Sequence, residues 1–301
     1  MLKIWYNCIM IENYILKQRQ SNPLEVKIQM SLQKIREWYT HWQGMVYVAF
    51  SGGKDSTVLL HLVRSIYPNV PAVFVDTGLE YPENKEFVKT IENCITLKPK
   101  MNFPEVLSRY GYPVISKEQA QYIQQYRNAK SEKTKNTRLN GNKWGRGKIS
   151  KKWLYLLNAP FKISEQCCNV MKKNPVKIYE KQTGRKGYIG VMAEDSAKRV
   201  QDYLKFGCNA FESARPISRP MGFWLESDVW EYLKRFNVTY SNIYEKGYKR
   251  TGCMFCMFGV HLETEPNRFQ IMKNTHPKIY DYCMNKLGLK EILQYIGVKY
   301  E

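Results

Sequence analysis

Apolar residues change their spacing along the chain, from helical intervals to continuous β-forming runs and back. After Asn22-Pro-Leu-Glu25, apolar Val26, Met30, Leu32, Ile35 and Trp38 recur at helical intervals and predict a helical N-terminal segment over residues 1–44. The run Val46-Tyr-Val-Ala-Phe50 predicts a strand, and Pro71-Ala-Val-Phe-Val75 a second. Between them Ser56–Ile66 carries a helical pattern. Strand, helix and strand at this spacing predict a parallel pair joined by a right-handed crossover. Such sheets take ligands at the carboxyl ends of their strands, where Ser51 and Asp76 both fall, so the two point to one crevice. Further on, Ser227 with Asp228 is predicted to cap a short helix, Val229–Phe236. The aromatic series Trp224, Trp230, Tyr232, Tyr240, Tyr244 and Tyr248 reads as core rather than as a ligand shelf.

The junction between the first strand and its helix holds the first candidate chemistry. Ser51-Gly-Gly-Lys-Asp-Ser56 aims backbone N–H groups and the positive end of a helix dipole at one point, a ready site for phosphate. Gly52 and Gly53 admit an anion without a Cβ in the way. Ser51, Ser56 and Thr57 add hydroxyl donors, and Lys54 adds a point charge. The string is not a Gly-x-x-x-x-Gly-Lys-Ser/Thr loop. A plain glycine turn is the competing reading. Asp76-Thr-Gly78 suits either ordinary strand-end punctuation or Mg²⁺ bound between a carboxylate and phosphates.

Charge changes the picture more than length does. The 301 residues, 44% hydrophobic and 14% aromatic, suffice for a sizeable core, and no apolar run reaches the roughly 18 residues of a membrane span. Met1–Arg19 lacks the zones of an export signal, so a cytoplasmic, reducing setting is expected for the eight cysteines. A formal charge of +20 directs attention to polyanions, nucleic acid first and nucleotides second, against the alternative of a solvated basic surface. Residues 127–152 contain ten basic residues and the single acid Glu132. Their glycines and asparagines predict a mobile basic insertion whose Trp144 and Trp153 stack on bases; a merely solvated insertion competes.

Cys167-Cys168 and Cys253-Met-Phe-Cys256 form the second constellation. A Cys-x-x-Cys turn offers two sulfurs to one metal or cluster, and a distant pair completes a four-thiolate set. Lys172, Lys173, Lys249 and Arg250 flank them, and positive neighbours favour thiolate. On spacing alone an iron–sulfur cluster, a zinc and unrelated buried cysteines all stand.

Taken together these motifs resemble known proteins. The loop resembles the PP-loop of the ATP pyrophosphatases, with its Ser-Gly-Gly-x-Asp-Ser signature. Cys167-Cys168 with Cys253-x-x-Cys256, Asp76-Thr-Gly, Gly190-Val-Met-Ala-Glu-Asp-Ser-Ala-Lys-Arg199, Arg215-Pro-Ile and Tyr240–Cys253 are similar to the cluster-bearing branch of the phosphoadenosine phosphosulfate (PAPS) reductase family. The match covers about residues 46 to 260, apart from the basic insertion. The resemblance implies an α/β, adenine-nucleotide alpha-hydrolase-like (Rossmann-like) parallel sheet flanked by helices. It also implies a [4Fe–4S] cluster on the four cysteines, with zinc as runner-up. Expected domains are the helical segment 1–44, the α/β domain 45–260 and a helical, cysteine-bearing tail 261–301.

The resemblance also separates the functional expectations. Sulfonucleotide reductases use a cysteine in a Glu-Cys-Gly-Leu-His segment, whereas beyond Cys256 this chain has Cys283 alone, with Cys208 a weaker substitute. Reductases generally carry degenerate PP-loops; here the loop is intact. The first expectation is therefore an ATP pyrophosphatase that adenylates an acceptor, on DNA or tRNA, for sulfur incorporation from a sulfur-donor protein. In that reading Lys54, Asp55 and Asp76 are catalytic, the two acids placing Mg²⁺. ATP is held by Ser51, Gly52, Gly53, Ser56, Thr57, Gly78, Gly190, Arg199 and Arg250. The alternatives are an APS/PAPS reductase served by an external thiol or Cys283, and a non-catalytic nucleic-acid-binding module on the same fold. No membrane partner is expected.

Overall fold

A computed structural model describes residues 12–301. Eight strands form among them: β1 Val46–Ala49, β2 Ala72–Val75, β3 Cys94–Leu97, β4 Val114–Ile115, β5 Lys186–Ile189, β6 Asn209–Ala210, β7 Ile217–Ser218 and β8 Met257–Phe258. Six make one sheet in the order β3-β2-β1-β5-β7-β6, and β4 pairs with β8 in a second, two-stranded sheet. All pairings in the large sheet are parallel except β6 with β7. β1 lies between β2 (Val48 opposite Ala72) and β5 (Val46 opposite Lys186). Its apolar run is continuous because helices cover both faces of a parallel sheet. The expected parallel α/β fold is the observed one.

The chain divides into two compact units, each with its own core. Of the described residues the first holds 12–75, Pro82–Leu97 and Lys177–Asn242, and contains the six-stranded sheet; the start of the expected helical segment 1–44, residues 1–11, lies outside the described residues. Its N-terminal helices, α1 (Asn13–Gln20) and α2 (Leu24–His41), share the sheet's core through Leu16, Leu24, Ile35 and Trp38. The second holds Asp76–Tyr81, Lys98–Val176 and Ile243–Glu301, so the tail beyond residue 260 shares a core with Phe103, Val114 and Met257. Among the described residues no helix is long and apolar enough to cross a membrane.

Three local expectations are corrected. On α2, Val26 is 44% exposed while Lys27 is 2% exposed, because Lys27 Nζ pairs with the Asp228 carboxylate at 2.6 Å. The helix expected at Val229 runs Glu226–Arg235, and Asp228 caps it from inside by accepting the Leu225 N–H at 2.6 Å. The basic segment is built rather than loose: a helix spans Glu132–Asn140, followed by a hydrogen-bonded turn at Gly141–Gly147. In the aromatic series Trp224, Tyr232 and Tyr248 are indeed core.

Candidate functional site

In the first unit β1 runs into helix α3, Lys54–Arg64, through the turn Phe50–Gly53. Gly52 sits at φ +73°, and a Cβ there would lie 2.8 Å from the Asn84 carboxamide and 2.9 Å from Val88. Left-handed backbone and close packing both demand glycine. Asn84 donates to Ser51 O at 2.8 Å and ties the loop to the helix Pro82–Lys89. Ser51 N–H donates to Ser56 Oγ (3.1 Å), while the Ser56 and Thr57 hydroxyls donate to Gly53 O (2.9 and 3.0 Å). Ser51 Oγ lies 3.1 Å from Ser56 Oγ and accepts the Gly53 N–H at 3.3 Å, so all three hydroxyls brace the turn.

The charges at this turn are unbalanced. Lys54, its side chain 5% exposed, has Nζ 3.3 Å from Asp55 Oδ1 and 3.2 Å from Glu226 Oε1, and 5.9 Å from the Trp230 ring centre. Burial pushes the Asp55 carboxyl above its ordinary range; Lys54 pulls it back, and Asp195 and Glu226 add to the rise. Asp55 Oδ1 is buried and accepts no hydrogen bond. The Lys54 ammonium thus faces the Asp55 and Glu226 carboxylates, and Asp195 adds negative charge near Asp55. Gly190 closes the site from the end of β5, since a Cβ there would lie 2.9 Å from Asp55 O.

Arg199 lies in the helix Ala197–Phe206, whose N-terminus is capped by Ser196 Oγ accepting the Arg199 N–H. Burial lowers the pKa of nearby Arg219, Asp202 pulls it back up, and Arg199 lowers it a little further. Arg219 Nε and Nη1 are buried without a hydrogen-bond partner, an unmet demand that an anion satisfies. Sequence reading passed over Arg219, Glu226 and Asn84, because nothing in their local context separates them from ordinary surface residues.

Asp76, Gly78 and Arg250 belong to the second unit. Asp76 follows β2 directly and its Oδ1 accepts the Gly78 N–H at 3.0 Å, with Gly78 at φ +74°. Arg250 is exposed beside Lys249 on the wall of a cavity of about 840 Å³ that Cys253 and Arg268 also line.

The four candidate cysteines all lie in the second unit. Cys167 and Cys168 sit in the helical turn Gln166–Cys168, which continues as a π-turn, Asn169–Lys173. The Cys253–Cys256 turn is held by Met254 N–H donating to Leu79 O (2.8 Å) and Arg268 Nη1 donating to Cys256 O (3.0 Å). The pairs converge: burial, then Cys253, Cys168 and Cys256, pushes the Cys167 thiol up, and Cys256 is pushed up to about 11. Burial pushes the Cys253 thiol up against the opposing pull of Lys172, and Glu80, buried behind the Asp76 turn, lies 4.0 Å from the Lys172 ammonium. All seven described cysteines are free.

Among the described residues no three Cys, His, Asp or Glu side chains close around one point as a single metal ion requires. A tetrahedral zinc gathers its sulfurs at about 2.3 Å.

Two other expectations change. Cys283 is fully buried in the second core with its thiol pushed up to about 12, and Cys208 is buried with its thiol pushed up to about 11. Neither is presented as a nucleophile. Trp153 is 7% exposed, edge-on to His261, and so is core rather than a stacking surface. Arg127 donates to the carbonyls of Leu156, Leu157, Ala159 and Phe161, which removes it from any docking face.

A mostly parallel sheet flanked by helices, with a glycine turn at the end of its central strand, defines a Rossmann-like α/β class. More narrowly, the chain belongs to the phosphoadenosine phosphosulfate reductase domain family, which matches residues 45–147 and 112–258. It is 25% identical over 290 residues to an uncharacterized protein of Methanocaldococcus jannaschii, covering 92% of this chain and 56% of that protein. It is 23% identical over 227 residues to an adenosine 5'-phosphosulfate reductase of Lysinibacillus sphaericus, covering 75% and 79%. The chain spans about half the length of its M. jannaschii relatives, 56% of one and 43% of another. Among solved structures it is similar to the PAPS reductase of Candida auris in a phosphate complex (15% identity, TM-score 0.44, 81% of this chain and 96% of that one). It is also similar to the U34-tRNA thiolase NcsA of Methanococcus maripaludis with its [4Fe–4S] cluster (15% identity, TM-score 0.38, 91% and 82%). Likenesses this distant do not bear on function.

Proposed function

We propose that this protein is an ATP-binding PP-loop enzyme that adenylates an acceptor on nucleic acid and thereby serves sulfur transfer, with a [4Fe–4S] cluster on Cys167, Cys168, Cys253 and Cys256. The carrying observation is the intact Ser51–Ser56 turn, with Gly52 and Gly190 at positions that admit no side chain and Lys54 beside a half-buried Asp55 whose Oδ1 is enclosed. Carboxylates that surround a phosphate cradle suit a nucleotide arriving with Mg²⁺, since the metal offsets charge that would otherwise repel. Asp55 is the proposed Mg²⁺ partner within the first unit, and Arg199 with Arg219 the proposed anion contacts.

In the step itself an acceptor oxygen attacks the α-phosphorus of ATP, a new P–O bond forms, and the bond to the pyrophosphate oxygen breaks. Lys54 offsets charge gathering on the departing pyrophosphate. A cluster with all four irons ligated has a structural role or tunes an incoming sulfur. The positive charge of Lys172 opposes the burial that raises the Cys253 thiol and so favours the thiolate form that ligation needs. The basic face of residues 127–152 is the proposed contact to nucleic acid, and the sulfur is proposed to come from a donor protein.

Pyrophosphate release from ATP, with tRNA or DNA as acceptor, tests the reading. Lys54→Ala is expected to lower the rate by about 10²–10³-fold. Equal rates in both proteins, or none in either, would sink it. The L. sphaericus relative supports a second reading, sulfite formation from a sulfonucleotide with an external thiol. The burial of Cys283 makes the external thiol necessary, so Cys283→Ala would leave that activity unchanged. Nucleic-acid binding without nucleotide consumption in wild type or variant points instead to the non-catalytic module. An anaerobic preparation with thiolate–iron absorbance supports the cluster, and a colourless zinc protein refutes it.

A further inference from the structure

Within the basic segment one bulky apolar ring stands in water on a rigid mount. Trp144 is 70% exposed, in the turn Gly141–Gly147. The Asn142 N–H donates to Arg146 O, the Gly145 N–H donates to Asn142 O (both 2.8 Å), and Asn142 Oδ1 accepts the Trp144 and Arg146 N–H groups (both 3.0 Å). Gly141, at φ +94°, lets the turn close on itself, since a Cβ there would lie 2.9 Å from the Gly145 backbone. From below, Arg138 donates to Gly147 O and to Gln125 Oε1 and lies 4.4 Å from the Tyr122 ring centre. Buried Ile149 anchors the exit, its N–H donating to Arg138 O.

The surroundings are cationic. Lys143, Arg146 and Lys148 are exposed around Trp144, with Lys143 Nζ 4.3 Å from its ring centre, and Lys151 and Lys152 follow. The segment's single acid, Glu132, is paired with Lys135 at 2.9 Å. The preceding helix Glu132–Asn140 buries no residue, and Arg138 with buried Ile149 is what ties the arm down. Solubility would require charge alone; it would not hold an indole out in water.

We propose that the Gly141–Gly147 turn is a stacking post for an unpaired nucleotide, with Trp144 receiving the base and Lys143, Arg146 and Lys148 the neighbouring phosphates. This deepens, and rests on, the nucleic-acid part of the reading above. A flat ring at the tip of a basic arm finds a free face only on an unpaired base, because duplex bases are already stacked on each other.

Fluorescence anisotropy with a labelled oligonucleotide of roughly 20 nucleotides, longer than the about 4–16 that one platform covers, tests the post. The strand is presented as single-stranded RNA, single-stranded DNA and duplex. Wild type is expected to prefer a single strand, and Trp144→Ala to weaken that binding about 5- to 100-fold with Trp144→Phe restoring most of it. Lys143→Gln with Arg146→Gln is expected to reduce the salt slope by about 1.4, two phosphates at about 0.7 each. Unchanged melting curves certify that the variants fold. Absence of oligonucleotide binding in wild type, or Trp144→Ala binding as wild type does, overturns the proposal. So does equal affinity for duplex. Lys54→Ala is expected to bind the oligonucleotide as wild type does, so failure of pyrophosphate release and failure of stacking are read separately.

Discussion

At Asp55 a carboxylate is held beside Lys54 with Oδ1 buried, no hydrogen bond accepted there, and Asp195 and Glu226 adding negative charge. A residue kept for stability alone would not be placed so. Groups whose environment works against their charged form collect at functional sites, where stability is exchanged for activity. Because burial raises the Asp55 pKa above its unfolded value, the charged carboxylate costs stability above the raised pKa. That cost fades as pH falls and the carboxyl is protonated in both states. Asp55→Asn is therefore expected to raise stability by about 0.5–2 kcal/mol at neutral pH, with the gain vanishing in acid, while pyrophosphate release falls. Melting curves across pH decide this; a variant less stable than wild type at pH 7 would overturn it.

Between elements, the Lys27–Asp228 pair fastens α2 to the helix Glu226–Arg235 at 2.6 Å, with side chains 2% and 10% exposed. Lys27→Met leaves a buried carboxylate without its partner and is expected to cost about 3–5 kcal/mol. Lys27→Met with Asp228→Leu is expected to recover all but about 1 kcal/mol, the share of the lost Leu225 cap. Urea midpoints of the two variants check this, and a double variant as unstable as the single one would refute it. The pair also shows what local pattern hides. Apolar spacing located α2 and its helical period, but it put Val26 inside and Lys27 outside, because the carboxylate that buries Lys27 comes from the far end of the unit. The Ser51–Ser56 turn was readable for the opposite reason, since its strand, glycines and helix are consecutive. Trp153 and Arg127 were misassigned within one charged segment: composition registers charge and rings but not which of them carbonyls and core consume.

Across the molecule, the nucleotide-type cradle rests on the first core and the four cysteines on the second. Loss of iron from the proposed cluster is therefore expected to be felt locally. Chelation is expected to raise amide hydrogen exchange in the Gln166–Cys168 turn and β8 while β1, α3 and β5 keep their protection. Uniform loss, or no change, would count against cysteine ligation. Both units are assembled from separated stretches, which no linear reading of motifs discloses, and that is why residues 76–81 read as part of the sheet domain but pack with the cysteine segments. The pairing of β1 with β5 has a further consequence during synthesis. Val46 waits for Lys186, so on the ribosome the sheet's central strand emerges with one edge unpaired until Lys98–Val176 has been made. A pause or nick within that stretch would leave an apolar parallel strand exposed, and the nascent chain becomes a client for chaperones at just that interval.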